Sequence, residues 1–293
     1  MRNSLFIIKA QGTRRFLSVS LCLLCFFVAR GQESEGDTGL AGRTTETLQK
    51  VITTTKSVGI GYSCMQDTYL SPEHYGGMEL RYVSHTLREN GRSPFTGKQG
   101  NGDWTRLIIN EGFVSQGKSR SGNGSTIGGT YHFQYGILHR KYLFEDRLVL
   151  QGGSALEFLG GFLYNTRNGN NPAQVRAMIN LCVVAHADYA VGRNRRMHII
   201  YEPSVPLLGL TFSPNYGQSY YEIGQGNYDR NAVPTTLFCM PSLRHTLACN
   251  FSVAGLDISA GYLGDYRQQS VNGLKQHVYS HNIVIGVVKK LKL

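Results

Sequence analysis

The chain has 293 residues and a formal charge of +11. Only 17% of it is Asp, Glu, Lys or Arg, where an ordinary soluble domain carries about 25%. With 35 glycines, 17 tyrosines and 11% aromatics, it is too aromatic and too sparsely charged for a disordered chain, and it lacks the Ala, Glu, Lys and Leu bias of a coiled coil.

The first element is a leader. Arg14 and Arg15 precede an apolar run from Phe16 to Ala29, and Ala29-Arg30-Gly31 supplies small residues for cleavage before Gln32. The run is too short for a membrane helix, which takes about 20 residues. Residues 1–31 are therefore expected to be a removed signal peptide, and 32–50 a short N-terminal periplasmic segment. Loss of the leader removes Arg2, Lys9, Arg14, Arg15 and Arg30 and no acid, which lowers the net charge to +6. No Lys/Arg-rich run follows, so nucleic acid is not an expected partner. Cys64, Cys182, Cys239 and Cys249 lack Cys-x-x-Cys spacing and paired histidines, so no metal site is expected. An exported chain can oxidise these thiols, but the sequence leaves their disulfide state open.

From residue 51 onward the dominant signal is strict alternation, the period of a strand. Candidate strands in chain order are Lys56–Met65, Gly77–Leu87, Thr105–Ser115, Ser125–His139, Arg147–Tyr164, Val175–Val191, Arg195–Pro206, Leu243–Val253, Leu256–Tyr262 and Tyr279–Val287. In the sixth, Val175, Ala177, Ile179, Leu181, Val183, Ala185, Ala187, Tyr189 and Val191 form one apolar face. Arg176, Asn180, His186 and Asp188 lie opposite. Stretches near 67–76, 118–124, 166–173, 213–239 and 271–274 read as long connections at one end. Those near 140–145, 192–194 and 254–255 read as short turns at the other. The connection near 90–103 departs from that rule.

Alternation does not say which face is wet. A soluble barrel turns its apolar face inward and its polar face to water. Here the polar face is Gly, Ser, Thr, Asn, Gln and His with single charges of both signs: Glu79, Arg81, Arg106, Glu111, Arg147, Glu157, Arg176, Asp188, Glu202 and Arg244. That suits a cramped lumen where opposite charges pair. Tyr135, Tyr164, Tyr189, Tyr201, Tyr262 and Tyr279 suit aromatic girdles. The expected fold is all-β: a closed antiparallel transmembrane β-barrel of about ten strands (8–12), spanning 51–293, which leaves no open strand edge in lipid.

The stretches Asp67 to Pro72, Gly161 to Ala173 and Phe212 to Glu222, with Gly261-Tyr262-Leu263-Gly264, resemble an uncharacterised family of exported proteins from Bacteroides-type Gram-negative bacteria, catalogued as a domain of unknown function. The resemblance implies an outer-membrane barrel and supplies no activity, cofactor or catalytic residue.

Asp67, Tyr69, Asn165, Asn168, Asn170, Tyr216, Tyr220, Tyr221 and Glu222 fall at the long-loop end, where they form a candidate surface for a small molecule or glycan. Glu79, Arg81, Arg106, Arg147, Glu157, Arg176, His186, Asp188, Glu202 and Arg244 are the candidate lumenal charges, with His186 and Asp188 as a structural pair. About ten strands make a narrow barrel whose interior side chains fill, so a plugged lumen is favoured over a small-solute pore. His281 and Ser280 face opposite sides of one strand, and no nucleophile elbow, phosphate loop or His-Glu-x-x-His is present. A lipid-modifying enzyme is therefore the last alternative, with no catalytic residues and no cofactor assigned. The expected protein is an outer-membrane barrel of structural or ligand-binding type. Its partners would be outer-membrane lipid and the barrel-insertion machinery.

Overall fold

The computed structural model describes residues 51–92 and 99–292. The expected leader and the segment 32–50 lie outside them, as does part of the 90–103 connection. The elements in order are β1 (Val51–Asp67), β2 (Ser71–Arg92), β3 (Gln99–Ser119), β4 (Ser125–Leu143), β5 (Leu148–Asn165), β6 (Ala173–Val191), β7 (Met197–Phe212), α1 (Tyr220–Gly224), β8 (Ala232–Thr236), β9 (Leu243–Val253), β10 (Leu256–Val271) and β11 (Leu274–Lys292). Among the described residues no helix is long and apolar enough to cross a membrane.

Apart from β8 and β9, which both pair with β7 and not with each other, each strand pairs antiparallel with its chain neighbours, and β11 pairs with β1 from Val51↔Lys292 to Asp67↔Gln276, which closes the ring. β8 covers β7 from Leu208 to Phe212 and β9 covers it from Met197 to Ser204. These two short strands together fill one position, so the wall is a closed ten-strand barrel. Two hairpins turn on two residues with positive φ: Ala254 (52°) with Gly255 (82°), and Asn272 (51°) with Gly273 (73°). That geometry matches the twist of the flanking strands.

The expected loop asymmetry rests on one segment. The 67–76 stretch shrinks to a three-residue turn, because Ser71 already opens β2. Among the described connections only the one between β7 and β9 is long. We call its side the loop end and the opposite side the turn end.

The faces are inverted relative to a soluble barrel. Ile283, Ile60, Leu80 and Val114 stand abreast on β11, β1, β2 and β3, and each is more than half exposed. The inward neighbours Glu79, Arg81, Glu111 and Asn282 are buried. A barrel surrounded by lipid needs this arrangement, with an apolar belt about 25 Å tall.

Candidate functional site

The lumen is filled in layers. Toward the turn end sits an apolar layer of Val83, Leu87, Leu107, Ile109, Leu138, Ala155, Cys182, Val184, Leu263 and Val284. Toward the loop end lie Met65, Leu70, Leu163 and Val278, and beside them Leu159, Met178 and Met240. Between these layers runs a buried ionic belt.

Arg81 is its hub. The guanidinium lies 2.8 Å from Glu79, 2.9 Å from Glu111 and 3.3 Å from Asp265, and its side chain has no exposed surface. It also stacks 3.9 Å over the Phe113 ring. Arg244 meets the other oxygen of Glu111. Arg267 bridges Asp265 and Glu157, both at 2.9 Å, and His132 lies 2.9 Å from Glu157. Ser280 and Asn282 donate to Glu79 at 2.6 and 2.7 Å, and Asn180 donates to Glu157 at 2.8 Å. Four carboxylates thus face three guanidiniums and one imidazole. Buried charges persist when paired and hydrogen-bonded; every charge in this set has an opposite partner, and the atoms left without a hydrogen bond are Nε and Nη1 of Arg244 and the two ring nitrogens of His132.

Glu79, Arg81, Glu157, Arg176, His186, Glu202 and Arg244 are all buried on the inward face. Arg176 is held by Gln276 at 3.3 Å. Two of the candidate lumenal charges are corrected. Arg106 is exposed on the outer wall, since a regular strand cannot turn both Arg106 and Glu111 inward, and Glu111 takes the lumen. It stands abreast of Arg88 and eight residues from Val114, about 26 Å along the strand at roughly 3.3 Å per residue, and so beyond the apolar belt. Arg147 is exposed in the 144–147 turn, where its amide donates to the Phe144 carbonyl at 3.1 Å. The expected His186–Asp188 pair is also corrected. His186 bonds Glu202 at 2.8 Å, and half-buried Asp188 bonds His198 at 2.7 Å.

Three belt members were missing from the sequence-based set of lumenal charges: Asp265, Arg267 and His132. For the first two the signal was present. The parity that turns Leu256, Ile258, Ala260 and Tyr262 outward, carried past Gly264, turns Asp265 and Arg267 inward.

At the loop end the candidate ligand residues mostly serve the loops. Asp67 is buried and accepts from the Tyr69 amide at 3.0 Å and from Gln276. Asn165 donates to Thr126 and accepts from the Arg167 amide. Asn168 donates to the Leu70 carbonyl and accepts from the amides of Asn170 and Asn171. Ser219 caps α1, and Glu222 accepts back from the Ser219 amide at 2.7 Å, which closes a capping box. That bond holds Glu222 below the usual carboxylate range. Tyr220 accepts from the Val175 amide at 2.8 Å, donates to Gln174 at 2.9 Å and meets the Tyr69 ring edge-on. Burial pushes its phenol up to about 12. Tyr216, Tyr221, Asn170 and Glu222 remain exposed.

A family model described as "Protein of unknown function (DUF3316)" matches residues 19–293, and the chain belongs to that family. No curated protein matches it. Among solved structures it is similar to the outer membrane protease OmpT from Escherichia coli: 8% identity over 85% of this chain and 100% of that one, with a TM-score of 0.41. It is also similar to the transport unit of the autotransporter AIDA-I from Escherichia coli, at 7% identity over 85% and 93%, TM-score 0.38. A Pseudomonas aeruginosa FadL homologue matches at 8% identity over 83% and 90%, TM-score 0.27.

Proposed function

We propose that this DUF3316 member is a sealed barrel of the Gram-negative outer membrane, structural in role and neither a pore nor a catalyst. One observation carries the reading: the ionic belt is buried and bounded by apolar layers on both sides. A conducting lumen needs a continuous wet path. Here the inner groups that could meet a solute already hold one another. Outer-membrane lipid would bathe the belt of Ile60, Leu80, Val114 and Ile283, and the barrel-insertion machinery would place it. The exposed rings of Tyr216 and Tyr221 support a second role, a stacking surface for a small molecule or glycan.

The test is reconstitution of the full chain in planar bilayers. The sealed barrel gives no single-channel conductance although its gel band is heat-modifiable. Stable open channels would overturn the reading. Recovery of the chain from the periplasm without detergent would overturn the membrane assignment.

A further inference from the structure

Three side chains with metal-ligating atoms meet on the outer wall, although their spacing in the chain gives no hint of it. Cys64 of β1, His74 of β2 and His277 of β11 each present one such atom, and the three atoms lie within 4.8 Å of one another. β1 lies between the other two strands at the seam that closes the barrel. Cys64 is opposite Tyr279 on one side and Gly76 on the other. The register of β2 against β1 shifts between Met65 and Asp67, next to His74. A small side chain on the middle strand leaves room for the two imidazoles to meet across it. Nδ1 of His74 stands 3.2 Å from Nε2 of His277. Two imidazoles on a tetrahedral ion with bonds of about 2.0 Å are separated by about 3.3 Å. Tyr279 stacks on His277 at 4.8 Å with the planes 12° apart, which fixes the direction of the ring.

We propose that Cys64, His74 and His277 bind a borderline-soft divalent transition ion of the zinc class, with the fourth position taken by water. One thiolate and two imidazoles favour such an ion over magnesium or calcium. Among the described residues the other cluster of this kind, His85, His186 and Glu202, is a poorer cation site. Both its imidazoles are committed to Glu202, at 2.9 and 2.8 Å. The Arg244 guanidinium stands 3.9 Å from the remaining carboxylate oxygen and would repel an incoming cation.

The ion would clip β2 and β11 to the strand between them. It binds only the closed ring, so it stabilises the folded barrel by mass action. Binding displaces the thiol proton and needs neutral imidazoles, so it weakens as pH falls.

The experiment titrates the refolded full chain in detergent, stripped with a chelator, with Co2+ as the spectroscopic probe and Zn2+ as the competitor. One Co2+ per chain is expected, with a thiolate-to-cobalt charge-transfer band that Zn2+ bleaches. Cys64→Ser abolishes the band, and His74→Ala at an exposed position weakens binding on the order of tenfold or more. Heat-modifiable mobility confirms that both variants are folded. A folded wild-type chain without the band, or a band that survives Cys64→Ser, overturns the site. Should either variant fail to fold, Zn2+ protection against heating is compared between the wild type and His277→Gln; equal protection overturns it as well.

Discussion

Replacing Arg81 with Met tests whether the belt is dry. At 2.9 Å from Glu111 the charge contact is worth about 6 kcal/mol at an effective dielectric of about 20, and about 1.4 kcal/mol in bulk water. Desolvation offsets much of the larger figure, but removing one partner leaves Glu79, Glu111 and Asp265 under-compensated. Breaking a buried pair in this way costs about 3–5 kcal/mol. With a urea slope near 2 kcal/mol per molar, the unfolding midpoint falls by about 2 M. The assay is urea unfolding in lipid vesicles, read by heat-modifiable mobility. Adding Asp265→Leu to the variant removes one stranded carboxylate and recovers part of the loss, with a coupling of about 0.5–3 kcal/mol. A single-variant loss under about 1 kcal/mol would refute the reasoning, because it would mean that water already solvates the belt.

Leu80→Arg, at mid-belt on the outer wall, is expected to cost about 2–4 kcal/mol in lipid, whereas Arg106→Ala near the turn end costs less than about 1 kcal/mol; equal effects in the same unfolding assay would contradict the placement of the belt. Burial raises the Tyr220 phenol from its ordinary value near 10 to about 12, so its contribution is intact below pH 10 and is lost as the pH rises toward 12. Limited proteolysis of the 213–231 segment should therefore accelerate across that window in the wild type and not in Tyr220→Phe. Gly61 has room for no Cβ, since one would stand 1.9 Å from the His281 carbonyl oxygen. Gly61→Ala is expected to loosen the β1–β11 seam and lower the heat-modification temperature, and an unchanged temperature would contradict the register.

The wall was legible because alternation is a property of single strands. Val175 to Val191 announces its two faces without reference to any partner. The inversion of those faces was legible too, from a polar side made of Ser, Thr, Asn and Gln with few lysines. Parity along the whole strand decides the rest. Arg106 has the parity opposite to Glu111, and Asp265 and Arg267 keep the inward parity of β10 beyond Gly264. Arg147 lies just outside its strand, which begins at Leu148. The apolar layers were hidden because Leu159 and Leu163 sit on the inward, polar side of β5. The Cys64, His74 and His277 cluster could not be read from spacing, because it depends on ring closure and a register shift.

The belt also bears on how the ring can assemble. Arg81 reaches Asp265 from β2 to β10, Arg244 reaches Glu111 from β9 to β3, and Arg267 reaches Glu157 from β10 to β5. None of these strand pairs are neighbours in the sheet. A growing hairpin array therefore satisfies none of these three contacts, although Arg81 can already pair with Glu79 and Glu111, and Arg267 with Asp265, within one strand or across a neighbouring one. The charges then act as a latch on the final step. A half-wound sheet gains nothing from the three cross-lumen pairs, while a closed one gains all three together. An incomplete or misregistered barrel leaves these cross-lumen partners apart, which favours the fully closed ring.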